Sequence, residues 1–300
     1  MRGTPEVTIG IPAYNASSFL EETVRSALAQ TWPHKRILVS VDRSDDDTAE
    51  LAREMASKWG LDVIVQTQRM GWVANSNAVL QAAKSPYMMI LPHDDLLLPN
   101  YIERCVQALQ ERPDAVVACS DISTFGDLSL HIPQLEFLGP QAERVEKMVR
   151  DGFAAVAYRG VVDRRMLGGR FVPDIAIGDF AADTLWLARM SVAGEVIRVP
   201  EVLYRKRMYR NSTHSQWKNL SRRRNRQQWL AHTAELEMVV HGDAPQLIKD
   251  ARIRMAFSDR ARRRGAAYFE RDAPIRGIAA LFPMLAARFA RWQGKLNCLR

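Results

Sequence analysis

Over its first 120 residues the chain alternates short, β-branched apolar runs with stretches of helical spacing, and no other feature restricts its fold as tightly. Val7–Pro12 (VTIGIP), Arg36–Val41 (RILVSV), Asp62–Gln66 (DVIVQ), Tyr87–Leu91 (YMMIL) and Ala115–Ser120 (AVVACS) read as strands. Phe19–Gln30, Thr48–Lys58, Val73–Ala83 and Asn100–Gln110 read as helices between them. In the first, Leu20, Val24, Ala27 and Leu28 share a face and Pro33 lies beyond the end; Gly60 closes the second. Strands joined through single helices are βαβ units, which predict an α/β fold built on a mostly parallel sheet covered on both faces. In such sheets ligands gather beyond the C-terminal strand ends. The polar residues just past the strands are therefore the candidates: Tyr14 and Asn15 after the first, Asp42 after the second, and His93, Asp94 and Asp95 after the fourth.

Beyond residue 125 the pattern loosens. Glu143–Arg150 and 179–192 read as helices, Tyr158–Asp163 and Val196–Val199 as short strands, and 217–240, 244–270 and 274–293 as basic helices. Charge divides along the same line. Residues 1–200 hold 20 Lys+Arg and 26 Asp+Glu (net −6), whereas residues 201–300 hold 22 and 8 (net +14). A basic C-terminal third calls for an anionic neighbour: a membrane surface, nucleic acid or a phosphate-bearing ligand. In 274–293, Ile275, Ile278, Leu281, Leu285, Phe289 and Trp292 form an apolar stripe beside Arg276, Arg288 and Arg291, suited to an anionic membrane surface or to packing on the rest of the chain. SRRRNR (221–226) and RARRRG (260–265) are basic enough for nucleic acid, but sparse aromatics and the lack of a binding motif make nucleic acid an unexpected partner. Cys105, Cys119 and Cys298 are too few and too widely spaced for a disulfide framework or a zinc site. With no apolar run of transmembrane length and no secretory h-region at the N-terminus, the expected location is cytoplasmic, with peripheral attachment to the inner face of the membrane as the variant the basic helices suggest.

LPHDDLLLP (91–99) places two carboxylates side by side at the end of a buried strand. Adjacent carboxylates repel, so they mark a metal site, a cap or solvent. Asp oxygens suit Mg²⁺ or Mn²⁺, which complete their shells with water and substrate phosphates. The structural alternative has Asp95 capping the helix near Pro99 and Asn100 with Asp94 in solvent. Asp42, inside VSVDRSDDDT, is equally placed to meet a ribose or a base, whereas Asp45, Asp46 and Asp47 suit a solvated loop capping the next helix.

VTIGIPAYNASSFLEETVRSALAQTWP, ILVSVDRSDDDT and MGWVANSNAVLQAAKSPYMMILPHDDLLLP together resemble, in order and spacing over residues 7 to 120, the nucleotide-sugar-binding half of family 2 glycosyltransferases. The resemblance implies the GT-A nucleotide-diphospho-sugar transferase fold, a Rossmann-like sheet, with the helical basic C-terminal region as an extension. It also implies roles. Pro12, Ala13 and Tyr14 line the nucleotide pocket, Asp42 meets the base, commonly uracil, and Arg69 approaches the nucleotide. Asn77 falls on the family's Asn in the third helix. Asp94 falls on the last Asp of its "D-x-D" and holds Mg²⁺ or Mn²⁺ on the diphosphate, with Asp95, its usual acidic neighbour, as the second metal residue. Pro92 stands where the first Asp is expected and His93 fills the middle. Further on, GDFAADTLWLARMSVAGEVIRVPEVLYRKR resembles the segment carrying the family's base, so Asp183 is the implied general base, with Asp179 a second candidate. YRKRMYRNSTH resembles the closing "Y-x-x-R-x-H": Arg207 takes the Arg position, to bind diphosphate, and Tyr209 stands where His is expected. Tyr158 and Arg159 lie where related chains build the acceptor side.

The resulting expectation is a catalytic domain over 1–214, with a nucleotide-sugar half (1–120) and an acceptor half (121–214), followed by a helical basic region (215–300). It would move a sugar, with inversion, from a UDP-linked or related donor to a glycan, lipid-linked or protein acceptor. The alternative is a catalytically inactive protein of the same fold that binds nucleotide-sugar or a partner. A nucleotidyltransferase of similar fold would need a glycine-rich phosphate loop that IPAYNASS lacks.

Overall fold

The structure is a computed structural model describing residues 4–152, 157–174, 177–210, 220–268 and 279–298, without the side chains of residues 177 and 296–298. The chain forms two compact units. The first is Met1–Glu136, Ala154–Val172 and Ala193–Tyr209; the second is Phe137–Phe153, Pro173–Val192 and Arg210–Arg300. The chain therefore passes between units more than once, and these units and the linear segments 1–214 and 215–300 are different divisions of it.

The first unit holds the sheet. Its elements are β1 (Val7–Ala13), α1 (Leu20–Leu28), β2 (Lys35–Val41), α2 (Thr48–Trp59), β3 (Asp62–Val65), α3 (Trp72–Ala82), β4 (Tyr87–Ile90), β5 (Leu96–Leu97), α4 (Tyr101–Glu111), β6 (Ala115–Gly126), β7 (His131–Ile132), β8 (Val161–Asp163) and β9 (Glu195–Met208), with the short helix α6 (Arg164–Leu167) after β8. Among the described residues the strand order is β3-β2-β1-β4-β8-β6-β9-β5, with β7 on β6. β1 pairs in parallel with β2 and β4, and β2 with β3, so the C-terminal ends of these strands lie along one edge. β6 and β9 form a long parallel pair, while β8 and β5 run antiparallel to their neighbours. Burial explains the predictable strands: β1, β2 and β4 are buried along nearly their whole length because helices lie over them, so each carries an apolar run. Gly10 lets α3 come close to β1, since a Cβ there would stand 2.0 Å from Val79 Cγ1.

Three later elements differ from expectation. The strand read at Val196–Val199 runs on to Met208, because a register shift opposite Ser120 and Asp121 absorbs Pro200 and Glu201 and pairing resumes at Val202. The strand read at Tyr158–Asp163 shortens to β8, with residues 157–159 forming a 3₁₀ turn instead. The helix read at 244–270 is a 3₁₀ turn (Pro245–Lys249) followed by a new helix, whose first N–H groups, on Arg252 and Ile253, are accepted by Asp250.

The second unit comprises α5 (Gln141–Asp151), α7 (Ala182–Ala193), α8 (Arg222–Asp243), α9 (Ala251–Tyr268) and α10 (Pro283–Cys298). Leu230, Ala231 and Ala234 of α8, Ala261 of α9 and Ala287 and Ala290 of α10 form its buried centre. Of the expected helix at 274–293, residues 279–281 are helical and α10 follows from Pro283 after a bend at Phe282; Ile275, Arg276 and Ile278 lie outside the described residues, as does the Cys298 thiol. Cys105 and Cys119 are buried and free, and burial pushes the Cys119 thiol up to about 12. Among the described residues, no helix is long and apolar enough to cross a membrane.

Candidate active site

Two loops meet where β1 and β2 end. Asp42 donates its N–H to Ala13 O at 2.8 Å, placing its side chain beside the chain that leaves β1. The Asp42 carboxylate is fully buried and surrounded by donors: Arg43 N at 3.0 Å, Met70 N at 2.7 Å, Gly71 N at 2.9 Å and the guanidinium of Arg69. The Met70 and Gly71 amides lie at the N-terminus of α3, where unpaired N–H groups and the helix dipole favour an anion. Gly71, at φ 83°, allows the turn that presents them. Arg69, still 45% exposed, lays its guanidinium over the Tyr14 ring at 3.4 Å, so the two form a flat stacking surface at the strand ends.

The acidic run next to Asp42 is a clasp between these loops. Asn15, at φ 45°, donates to Ser44 Oγ at 3.1 Å and accepts from Asp45 N at 2.9 Å. Asp46 accepts from Ser17 N and Thr48 N, both at 3.1 Å. Burial alone would raise the Asp46 carboxyl, but the hydrogen bonds from Thr48 and Ser17 outweigh it and hold the group below its ordinary value.

The second cluster is the turn after β4. Thr23 of α1 donates to the carbonyls of His93 (2.8 Å) and Asp95 (3.0 Å), pinning the turn to the helix. His93 Nδ1 lies 3.3 Å from Pro12 O. Asp95 is buried, and its carboxylate accepts from Arg159 Nε (3.1 Å), the Tyr204 hydroxyl (2.7 Å) and Arg207 N (2.8 Å). Burial pushes the Asp95 carboxyl up, while Arg159, Tyr204 and the Arg207 amide draw it back. The helix cap weighed as the alternative for Asp95 is not formed, because Asp95 is an internal anchor and Asn100 stands at the start of α4 without a side-chain cap. Arg159, a candidate for the acceptor side, is likewise turned to Asp95.

Asp94, by contrast, is only half-buried. Pairing of β5 with β9 brings Arg207 and Tyr209 to it. Arg207 Nε donates to Asp94 O at 3.0 Å, and its guanidinium pairs with Glu22 while lying over the rings of Phe19 (4.8 Å) and Phe125 (4.4 Å). The Tyr209 hydroxyl hydrogen-bonds the Asp94 side chain, and burial together with that carboxylate pushes the phenol up. A hard divalent cation takes oxygen donors and usually keeps waters and substrate phosphates in its shell. No group of three or more His, Cys, Asp or Glu is gathered for a metal among the described residues. The donor set at the turn, one half-buried carboxylate beside a phenol, therefore fits a cation that is shared with a phosphorylated substrate, and does not fit a cage made by protein alone.

Asn77 exchanges hydrogen bonds with Val172, donating to its carbonyl at 3.0 Å and accepting its amide at 2.9 Å. The residue of α3 that reaches the ends of β1 and β2 is Asn75, buried and bonded to Ser40 Oγ (2.7 Å), Ser40 O (2.9 Å) and Ala13 O (3.3 Å). Sequence reading missed it, although a polar residue on the buried face of WVANSNAVLQA was the available signal.

Asp183 lies in the second unit, half-buried in the first turn of α7. Its Oδ1 accepts Thr184 N at 2.9 Å. The turn before it is unusual: Gly178 (φ 59°), Asp179 (φ 58°) and Ala181 (φ 52°) all lie in the left-handed region. Side chains of α8 hold it. The Phe180 ring meets Trp229 edge-on at 4.8 Å, and His232 Nε2 lies 3.2 Å from Ala181 O. Arg260 of α9 approaches His232 Nδ1 at 3.2 Å and donates to Val149 O at 3.1 Å. Burial first, then Arg260, lowers the His232 imidazole to about 3, so the ring is neutral, with Nε2–H donating to Ala181 and Nδ1 accepting from Arg260. At the other end of α7, Arg144 donates to Ser191 O (2.6 Å) and Val192 O (3.1 Å), satisfying carbonyls that the helix leaves open.

A parallel β3-β2-β1-β4 sheet edge, carrying a buried acid under a stacking pair and an acidic turn after the fourth strand, defines an α/β protein of the GT-A, nucleotide-diphospho-sugar transferase type. The chain belongs to glycosyl transferase family 2, whose sequence profile matches residues 8–165, just over half of it. It is 32% identical over 118 residues to an uncharacterized glycosyltransferase of Rickettsia prowazekii (39% of this chain, 36% of that one). It is 30% identical over 119 residues to the chondroitin synthase of Escherichia coli (40% and 17%) and 32% identical over 115 residues to the hyaluronan synthase of Pasteurella multocida (38% and 12%). The matches thus span about a third or less of these relatives' lengths. Among solved structures, S. aureus TarS 1–349 in complex with UDP-GlcNAc superposes with a TM-score of 0.63 at 13% identity, covering 97% of this chain and 92% of that one. The mannosyltransferase PcManGT of Pyrobaculum calidifontis, in complex with GDP-Man and Mn²⁺, gives 0.57 at 17% identity, covering 97% and 88%. At these identities the likeness is one of fold.

Proposed function

We propose that the protein transfers a sugar from a nucleotide-diphosphate sugar, UDP-linked, to a hydroxyl of a glycan, lipid-linked or protein acceptor, with inversion at the anomeric carbon. The observation that carries the reading is the meeting, at one sheet edge of a family 2 chain, of the Tyr14–Arg69 stack over Asp42 with the half-buried Asp94 beside Arg207. Pro12, Ala13, Tyr14, Asp42 and Arg69 would form the nucleotide side. His93, Asp94 and Arg207 would face the diphosphate, and Asn77 would serve through the Val172 segment it fastens. Residues 1–214 would then form the catalytic part, divided near residue 120 into donor and acceptor halves, and residues 215–300 the helical extension.

In the transfer, the acceptor oxygen forms its bond to the anomeric carbon as the carbon–oxygen bond to the diphosphate breaks. The bonding pair leaves with the diphosphate, and the hydroxyl proton passes to the Asp183 carboxylate. A single displacement of this kind inverts the anomeric centre. Asp94, with Asp95 anchoring the turn behind it, would hold Mg²⁺ or Mn²⁺, whose bound charge stabilises the departing diphosphate. The basic C-terminal helices support a setting at the cytoplasmic face of a membrane.

Calorimetric titration with UDP-, GDP- and dTDP-sugars, with and without Mn²⁺, tests the donor side. A Mn²⁺-dependent response to UDP-sugars is expected. The Asp183→Asn variant should bind donor like wild type and lose transfer; unchanged turnover would remove Asp183 as base. Pro92, at the position of the missing acid, favours a second reading as an inactive nucleotide-sugar-binding or partner-binding protein. A chain that answers to no nucleotide-sugar would support the partner-binding form of it.

A further inference from the structure

Helix α10 is amphipathic in the opposite sense to a helix that packs by its large side chains. It turns Ala287 and Ala290, both wholly buried, toward Leu230, Ala231 and Ala234 of α8. It turns its large apolar side chains to solvent: Leu285, Phe289 and Trp292, with Leu281 and Phe282 just before the helix, are between 47% and 75% exposed. At 100° per residue, Leu285, Phe289 and Trp292 fall within one narrow stripe on the side away from the alanines. The Phe289 and Trp292 rings stack on one another at 5.9 Å without covering the stripe.

Chains rarely leave a contiguous apolar stripe of this size in water; where they do, it marks a surface that another phase or partner covers. The charge around it decides which. Beyond Asp272 the sequence contains no Asp or Glu, but has Arg276, Arg288, Arg291, Lys295 and Arg300. Arg288 and Lys295 run along one border of the stripe and are exposed, and Arg288 is partly balanced by Glu237 of α8 at 3.0 Å. A second copy of this face would bring the same positive charge against it. Leu, Phe and Trp on one face with Arg and Lys at its border fit an anionic bilayer surface, where the apolar side chains enter the acyl boundary and the cations meet phosphates.

We infer that α10 lies in the plane of an anionic lipid surface and docks the protein there through Leu281, Phe282, Leu285, Phe289 and Trp292, with Arg288 and Lys295 as headgroup contacts. This deepens the membrane-surface part of the proposed function and rests on it, but not on the transfer chemistry. In this position the protein would meet an acceptor carried on a lipid without spanning the membrane.

The test is co-sedimentation of the full chain with vesicles of phosphatidylcholine, alone or with about 30% phosphatidylglycerol. Wild type should bind the anionic vesicles and not the neutral ones. Phe289→Ser with Trp292→Ser should lower that binding by about tenfold or more while leaving the thermal midpoint unchanged, because both side chains are exposed. Arg288→Gln with Lys295→Gln should weaken binding to anionic vesicles specifically. Equal sedimentation of wild type and the Phe289/Trp292 variant, or no binding by wild type, would overturn the inference. So would a dimer in sedimentation equilibrium that the same variant abolishes, which would assign the face to a second copy. Asp183→Asn should bind vesicles as wild type does, so failure of docking and failure of the base assignment are separate results.

Discussion

Asp94 and Asp95 are neighbours in sequence with different surroundings, and the difference sets what each can do. Asp95 is enclosed by Arg159, Tyr204 and the Arg207 amide. Removing its charge leaves a guanidinium, itself only 11% exposed, facing an uncharged amide. Breaking a buried pair from one side costs about 3–5 kcal/mol, so Asp95→Asn should lower the urea-unfolding free energy by about 3 kcal/mol, partly relieved by the Tyr204 bond. Asp94→Asn removes a half-buried carboxylate whose backbone carbonyl, not its side chain, holds Arg207. Its stability should stay within about 0.5 kcal/mol of wild type, while any Mn²⁺ enhancement of donor binding in calorimetry is lost. A variant pair that behaved the other way round would exchange the anchoring and ligand roles.

At the scale of elements, α7 depends on α8 and α9 through His232. The left-handed turn before Asp183 is held at Ala181 by a neutral imidazole that Arg260 faces from the other side. The groups around His232 are thus a carbonyl, a guanidinium and the Trp229 ring, with Arg264 further off; the Ala181 carbonyl favours the protonated ring, but burial and Arg260 outweigh it. The folded value is about 3, below the unfolded value of about 6.5, so the unfolded chain binds the extra proton between these limits. Stability is therefore full above pH 6.5 and is lost as pH falls toward 3. Between pH 7 and 5 His232 should account for about 2 kcal/mol of lost stability, and His232→Gln should be less acid-sensitive than wild type by that amount in paired urea titrations. The elements of the first half were legible in the sequence because each strand is an apolar run and each helix carries its own period. β5 was not legible: it is two residues long and exists only because β9 pairs with it. The full length of β9 was hidden because Pro200 reads locally as a stop, and only the partner strand shows that it sits in a bulge. Asp42, Asp94 and Tyr14 could be picked out because acids and aromatics past strand ends are conspicuous. The partners of Asn75 and Asp95 could not, since they lie 35 and 64 residues away.

At the scale of the whole chain, the charge asymmetry is retained against local stability. α8 begins with Arg222, Arg223 and Arg224, all exposed, and has no acid in its first turn. Cations at a helix N-terminus oppose the dipole by about 0.3–1 kcal/mol each, and among the described residues none of the three is buried or ion-paired. The cap that starts the helix, Ser221 accepting Arg224 N at 3.3 Å, uses only the backbone of Arg224. A chain that keeps such residues has a use for positive charge at that place, and a net charge of +14 over residues 201–300 points to the same anionic surface as α10. Replacing all three arginines with glutamine should therefore separate the two effects. Relief of the dipole clash should raise stability by about 1 kcal/mol in thermal or urea unfolding. Affinity for anionic vesicles should fall by about 1 kcal/mol, or fivefold, for each charge near the surface, and the remaining binding should depend less on salt. If the triple variant gained stability and bound anionic vesicles as tightly as wild type, the basic start of α8 would have no part in docking, and α10 alone would have to account for it.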